Sequence, residues 1–226
     1  PDPEEFNSFL GTDDAWNTLT RGLELCHSSG IPVAFNCCCT KEQFADGTFD
    51  RIMERAKEFN GSILQLIKPK PSGGWLESGA PEFSKQDLDQ VKTIVNRYNH
   101  DPAFREFPMI SAQIIEEDCS VFGCTAGGTD RFYINAKGDL QPCEFLNISF
   151  GNIAEDDFDT IYNTMRETFR EPGCSWLCEK YSRSIFELYK KYDLVTLPLP
   201  PYISKEIYDN WDRGNPTPVY KRMEKY

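Results

Sequence analysis

The chain has 226 residues, of which 39% are hydrophobic and 13% aromatic, a composition typical of a globular protein rather than a disordered chain. Its formal net charge of -12 argues against nucleic acids and anionic membrane surfaces as partners, because like charges repel. No apolar run is long enough to span a bilayer and no signal peptide is recognisable, so we expect a cytoplasmic protein. The chain begins with Pro rather than Met, which indicates a processed chain or a fragment.

Helical and strand patterns alternate along the first half of the chain. Apolar residues at helical spacing predict helices over residues 12–30, 40–60 and 84–98, and Thr40 with Gln43 resembles a capping box. Short, almost continuously apolar runs predict strands buried on both faces of a parallel sheet, at residues 33–38, 63–68 and 109–115. This order predicts an α/β fold whose parallel sheet is either open or barrel-like.

The pattern changes at Cys119. The stretch RFYINAKGDLQPCEF, residues 131–145, predicts a β-hairpin with a polar turn in which Gly138 takes a positive φ. An acidic run then precedes a predicted amphipathic helix over residues 157–169, and we interpret the run as helix capping. A further helical segment, a Pro-rich segment and a polar tail complete the chain.

Nine cysteines, an odd number, argue against a secreted disulfide scaffold and favour metal ligands or buried thiols. Cys124 and Cys143 flank the predicted hairpin, and Cys174 and Cys178 lie one helical turn apart. Four convergent thiolates suit either a tetrahedral zinc ion or an iron–sulfur cluster. The 18 residues between Cys124 and Cys143 fit a zinc ribbon poorly, yet spacing alone leaves zinc, iron–sulfur and separate buried cysteines open.

Residues 124–162, CTAGGTDRFYINAKGDLQPCEFLNISFGNIAEDDFDTIY, resemble the auxiliary-cluster module of radical SAM enzymes, the SPASM/twitch group. The resemblance rests on a first cysteine, the turn glycine, a Pro-Cys pair and a GNI segment, which in this sequence are Cys124, Gly138, Pro142 with Cys143, and residues 151–153. Of the downstream cysteine pattern only the Cys-x3-Cys pair is present. The resemblance therefore implies a shortened module with one auxiliary [4Fe-4S] cluster, whose ligands would be Cys124, Cys143, Cys174 and Cys178.

The first half resembles, more loosely, the later part of the radical SAM partial barrel. By this resemblance, the three predicted strands correspond to barrel strand five, barrel strand six and the link into the module. The resemblance also places Asn36 at a contact with SAM. It also places the Pro/Gly-rich loop at residues 69–83 near the adenosine of SAM; a plain surface loop is the alternative. The Cys-x3-Cys-x2-Cys motif that such enzymes need is absent, and adjacent Cys37, Cys38 and Cys39 cannot replace it because neighbouring strand residues point to opposite faces.

The expected fold class is thus α/β: a partial parallel barrel followed by a small hairpin-plus-helix iron–sulfur module. We expect the barrel part at residues 1–117, the module at 118–182 and a helical tail at 183–226. The expected function is the C-terminal portion of a radical SAM enzyme that makes a 5'-deoxyadenosyl radical to modify a peptide or a small cofactor precursor. An electron donor such as ferredoxin or flavodoxin would serve it. The alternative is a non-catalytic module stapled by zinc or iron–sulfur; no catalytic residue can be named.

Overall fold

The computed structural model describes residues 2–169 and 173–223, and it divides the chain into two compact units. The first unit comprises the chain up to Pro69 and the segment Pro81–Ile115, and the second comprises Lys70–Ala80 and the chain from Glu116 onward. The segment after residue 182 therefore belongs to the same unit as the cysteine module. The domain boundaries expected from the sequence, after residues 117 and 182, stay predictions.

Helices outnumber strands in both units. In chain order, the α-helices are α1 (Pro3–Leu10), α2 (Ala15–Ser28), α3 (Lys41–Ala45), α4 (Thr48–Glu58), α5 (Trp75–Ser78), α6 (Lys85–His100), α7 (Gln113–Glu116), α8 (Phe158–Thr168), α9 (Leu177–Lys180), α10 (Ser182–Lys191), α11 (Pro201–Tyr208) and α12 (Pro218–Met223). The strands are β1 (Ala34–Cys38), β2 (Ile63–Ile67), β3 (Met109–Ala112), β4 (Tyr133–Ile134), β5 (Asp139–Gln141) and β6 (Gly151–Asn152). A 3-10 turn at Pro102–Phe104 separates α6 from β3.

The first unit is built on a parallel sheet of three strands in the order β1-β2-β3. This confirms the predicted α/β class and the presence of the three strands, while the closure of the sheet into part of a barrel stays a prediction. The third strand is shorter than predicted, because residues 113–115 belong to helix α7. Leu64, Leu66 and Ile110 are buried on one face of the sheet, whereas Asn36 and Gln65 on the other face are exposed. The expectation that these strands are buried on both faces is therefore wrong. Successive residues of a strand point to opposite faces of the sheet, and the face of Asn36 and Gln65 is exposed.

Helices α3 and α6 begin where their capping residues predict, whereas α2 begins at Ala15, after the expected start at residue 12 or 13, with no side-chain cap. Both halves of the capping box at Thr40 and Gln43 are present, and Ser84 caps α6 in the same way with Asp87. The predicted helix over residues 40–60 is two helices, because Gly47 adopts φ +79° between α3 and α4. Helix α1, which the sequence interpretation did not include, is capped by the side chain of Asp2.

The second unit contains an antiparallel sheet in the order β4-β5-β6. The predicted hairpin is β4 and β5, and Gly138 in its turn has φ +91°, as expected. A Cβ atom at Gly138 would lie 2.8 Å from Oδ1 of Asn152, so β6 packs closely on the turn. Helix α8 follows, capped by Asp157, whose Oδ2 accepts a hydrogen bond from the backbone N–H of Thr160 at 3.0 Å.

The core of the second unit unites the hairpin, α8 and the C-terminal helices. Its fully buried side chains are Leu140, Leu146, Ile148, Met165, Phe169, Leu177, Ile185, Leu199 and Ile203. The helices after the module therefore supply part of the module's own core. Among residues 2–169 and 173–223, no helix is both long enough and apolar enough to cross a bilayer.

Candidate metal centre

Three cysteines of the second unit line one small cavity of about 20 Å³: Cys124, Cys143 and Cys178. Cys143 follows β5, Cys178 lies in α9, and Cys124 precedes the hairpin. Cys143 and Cys178 are buried, and Cys124 is half-buried. The structure therefore brings together three of the four thiols that the sequence predicts as ligands.

The chain after Cys124 is held against the hairpin by a tight glycine turn. The backbone N–H of Gly127 donates to the carbonyl of Pro142 at 2.9 Å, next to Cys143. Gly127 has φ +75°, and a Cβ atom there would lie 2.0 Å from the ring of Phe169. Because only glycine fits this position, the AGG sequence after Cys124 permits the hydrogen bond that holds this segment against the hairpin, beside Cys143.

Cys174 lies elsewhere, in a disulfide bond with Cys119 whose Cα atoms are 4.7 Å apart. Its neighbour Gly173 accepts a hydrogen bond from the backbone N–H of Cys124 at 3.0 Å, so the pair is tied to the same part of the module. Cys174 is described by the structure, and it does not line the cavity of the other three thiols. The four-ligand set with Cys174 as the fourth member stays a prediction.

The donor chemistry of the cavity fits a thiophilic metal or an iron–sulfur cluster, since three thiols face one buried space. Among residues 2–169 and 173–223, however, no three His, Cys, Asp or Glu side chains already stand at metal-holding geometry. A cavity of about 20 Å³ admits roughly one water-sized body. The surrounding side chains would therefore have to move apart to admit a four-iron cluster.

Burial keeps two of these thiols protonated in the metal-free chain. Burial raises the pKa of Cys143 well above its usual value, and any negative charge on the neighbouring sulfurs of Cys178 and Cys124 raises it further. Burial also raises the pKa of Cys178 to about 12, although the positive charge of Lys70 acts in the opposite direction. A cation is what converts such thiols to thiolates, so metal binding at this cavity would release protons.

Charged side chains line the same cavity beside the thiols. Lys70 Nζ lies 3.6 Å from Glu117 Oε2 and 3.8 Å from Glu179 Oε1. The same ammonium lies 3.0 Å from the centroid of the Trp176 ring. Arg131 pairs with Glu117 and donates to Thr125 Oγ1 at 2.9 Å. The cavity is thus lined by thiols and by charged side chains that form ion pairs with one another.

The sequence interpretation did not include this network. Lys70 belongs to the loop that the resemblance places near SAM adenosine, yet the structure assigns Lys70–Ala80 to the second unit. Glu117 lies just after the third predicted strand and Arg131 at the start of the predicted hairpin, where charged side chains are ordinarily solvated. The flanking prolines of Lys70, in the sequence PKP, are the one local signal that this lysine is held rigidly.

The remaining site predictions fall in the first unit. Asn36, the predicted SAM contact, lines a cavity of about 500 Å³, whose walls include Trp16 and Phe59; its role stays a prediction. Cys37 and Cys39 are buried on the same side with their sulfurs 3.3 Å apart, whereas Cys38 is exposed. This matches the expected alternation at the end of a strand.

Comparison with known proteins identifies the module. A family model described as an iron–sulfur cluster-binding domain, SPASM, matches residues 124–182. This part of the chain is therefore similar to a SPASM iron–sulfur cluster-binding domain. All three cavity thiols lie within this matched range, and so do Arg131 and Trp176.

Relatives of the chain are proteins named AdoMet-dependent heme synthase. The chain is 22% identical to the one from Oleidesulfovibrio alaskensis, over 76% of this chain and 48% of that protein. It is 25% identical to the one from Methanosarcina barkeri, over 74% of this chain and 52% of that protein. These matches, with the SPASM domain, confirm the predicted resemblance to the radical SAM family. The chain spans about half the length of the curated relatives it matches.

Proposed function

We propose that this chain is the C-terminal portion of a radical SAM enzyme and that its SPASM domain binds one auxiliary [4Fe-4S] cluster. The observation that carries the proposal is the convergence of Cys124, Cys143 and Cys178 on one cavity inside the matched domain. Cys174 is the proposed fourth ligand, which requires that its bond to Cys119 be reduced. When bound, such a cluster would pass electrons or anchor a substrate.

The residues around the cavity would hold the cluster in a fixed, dry position. Cys143 and Cys178 are buried, so water has little access to the two sulfurs. The turn at Gly127 ties the Cys124 segment to the carbonyl before Cys143, which keeps the separation of these two ligands constant. Burial and hydrogen bonding to sulfur are the means by which a protein adjusts such a cluster.

In this proposal the parent enzyme, located in the cytoplasm, makes a 5'-deoxyadenosyl radical from SAM, and Asn36 contacts SAM. Its substrate is a peptide or a small cofactor precursor, and ferredoxin or flavodoxin supplies electrons. The relatives named heme synthase favour the cofactor precursor. Because this chain spans about half of those proteins, these statements concern the parent enzyme rather than the chain alone.

The proposal is tested by purifying the chain anaerobically after thiol reduction, supplying iron and sulfide, and measuring iron, sulfide, zinc and visible absorption. We expect a brown protein that loses most of its iron when Cys143 or Cys178 is replaced by alanine. Cys26→Ala is the matched control, since Cys26 lies in α2 of the first unit, and it should keep the iron. Equal iron in all four proteins would contradict the proposal.

The second candidate function is a structural zinc site without catalysis. The small cavity favours it, because a single ion needs less room than a four-iron cluster. A colourless protein with one zinc per chain, lost on Cys143→Ala, would establish this function in place of the first.

A further inference from the structure

Lys70 is the most deeply buried charged group beside the thiol cavity. Its side chain is 3% exposed, and that of its partner Glu117 is 11% exposed. A buried ammonium is costly unless carboxylates or aromatic faces surround it. Lys70 has both: Glu117 and Glu179 on one side, and the ring of Trp176 on the other.

The side chains around the Lys70 ammonium are themselves held in place by further contacts, so they fix its position. Glu117 is held by Arg131, and its backbone carbonyl accepts a hydrogen bond from Nε1 of Trp176. Trp176 lies two residues before Cys178, so the ring that covers the ammonium is on the segment that carries a thiol. Lys70 thus reaches the cavity from a loop more than fifty residues before Cys124, and it cannot leave without breaking this network.

The charges of the network nearly cancel until the thiols ionise. Lys70 and Arg131 carry two positive charges, and their ion-pair partners carry three negative charges, on Glu117, Glu179 and Asp130. Each cysteine thiolate adds a negative charge in a buried space. A thiolate-held iron–sulfur cluster is anionic, and reduction makes it more so. A positive charge beside the cavity therefore stabilises the bound cluster, and it stabilises the reduced cluster most.

We propose that Lys70 is a positioning residue of the metal centre, whose fixed ammonium stabilises the thiolates and raises the reduction potential of the cluster. This inference rests on the proposed function. Glu117 acts in the opposite direction, because its carboxylate places a negative charge beside the same cavity. Lys70 lies in the loop that belongs to the second unit, and Glu117 is the residue after α7. The two residues therefore form a charge pair that adjusts the reduction potential of the centre.

The test compares the reduction potential and the iron affinity of wild type, Lys70→Met, Lys70→Arg and Glu117→Gln, after reconstitution under the same conditions. Lys70→Met should move the potential to a more negative value and lower iron affinity by roughly 10-fold or more. Lys70→Arg should stay near wild type, and Glu117→Gln should move the potential to a less negative value. Opposite shifts are what a charge effect produces and what simple loosening of the fold does not.

Lys137→Met is the matched control, since Lys137 is exposed in the same unit and its Nζ donates to Thr196 Oγ1. Equal potentials in wild type and Lys70→Met, or shifts of the same sign in Lys70→Met and Glu117→Gln, would overturn the inference while leaving the cluster intact. If wild type itself holds no iron, the proposed function fails first. If the metal is zinc, the same proteins are compared by zinc affinity, and an unchanged affinity in Lys70→Met overturns the inference.

Discussion

At the scale of single residues, Gly127 holds the segment after Cys124 against the hairpin, beside Cys143. Its φ of +75° is unfavourable for any residue with a side chain, and a Cβ atom would overlap the buried ring of Phe169. We expect Gly127→Ala to lower the free energy of unfolding by roughly 2–5 kcal/mol, the sum of backbone strain and overpacking. Chemical denaturation of the metal-free, reduced chain measures this.

Gly22→Ala is the control for that substitution. Gly22 lies in α2, and a Cβ atom there meets nothing within 4 Å, so alanine should leave the chain as stable or slightly more stable. A loss at Gly127 no larger than the change at Gly22 would show that the turn does not constrain the module.

The disulfide bond between Cys119 and Cys174 bears on whether Cys174 is a metal ligand, because a cysteine in a disulfide bond has no thiolate to bind the metal. If Cys174 is the fourth ligand, thiol reduction before reconstitution should raise the iron content of wild type. Cys119→Ser should remove that dependence, since Cys174 then has no sulfur partner at that position. Iron per chain with and without reductant measures both effects. Full iron in Cys174→Ala would exclude Cys174 from the ligand set.

At the scale of elements, local signals predicted most of the fold. The hairpin follows from the turn at Gly138, and α6 and α8 follow from their apolar spacing and their caps. Strand β6 has two residues, too few for any period to show, so only its pairing with β5 reveals it. Helix α1 carries a cap at Asp2, a favourable Pro3 and apolar residues at helical spacing, Phe6, Phe9 and Leu10, so its local signals were present and the sequence interpretation missed them.

The residues of the candidate site likewise fall into two groups: those that local sequence signals predict and those that they do not. The three cavity thiols were predictable because their residue type and spacing carry a chemical meaning. Lys70, Glu117 and Arg131 were not, because lysine, glutamate and arginine are ordinarily solvated. The prolines on either side of Lys70 indicate a rigid segment, but they do not indicate burial. Only the tertiary fold, which places the loop of Lys70 against the segment of Trp176, brings their charges to the thiols.

At the scale of the whole molecule, each unit has a hydrophobic core of its own. The first core lies between the parallel sheet and its helices and contains Met53 and Leu64. The second contains Leu140 and Met165 and is completed by the helices after the module. Because the two cores are separate, we expect each to be lost without the other, and the proposed metal centre would then report on the second unit alone.

Two matched core substitutions test this separation. Met53 and Leu140 are both fully buried, one in each core, and replacing either with alanine should lower the stability of its unit by about 2–5 kcal/mol. Leu140 lies in β5, three residues before Cys143, so Leu140→Ala should also lower the iron content after reconstitution. Met53→Ala should leave iron per chain at the wild-type level while thermal unfolding of the first unit moves to a lower temperature. Equal loss of iron in both variants would show that the second unit depends on the first for its metal site, and the two cores would then have to be treated as one cooperative structure.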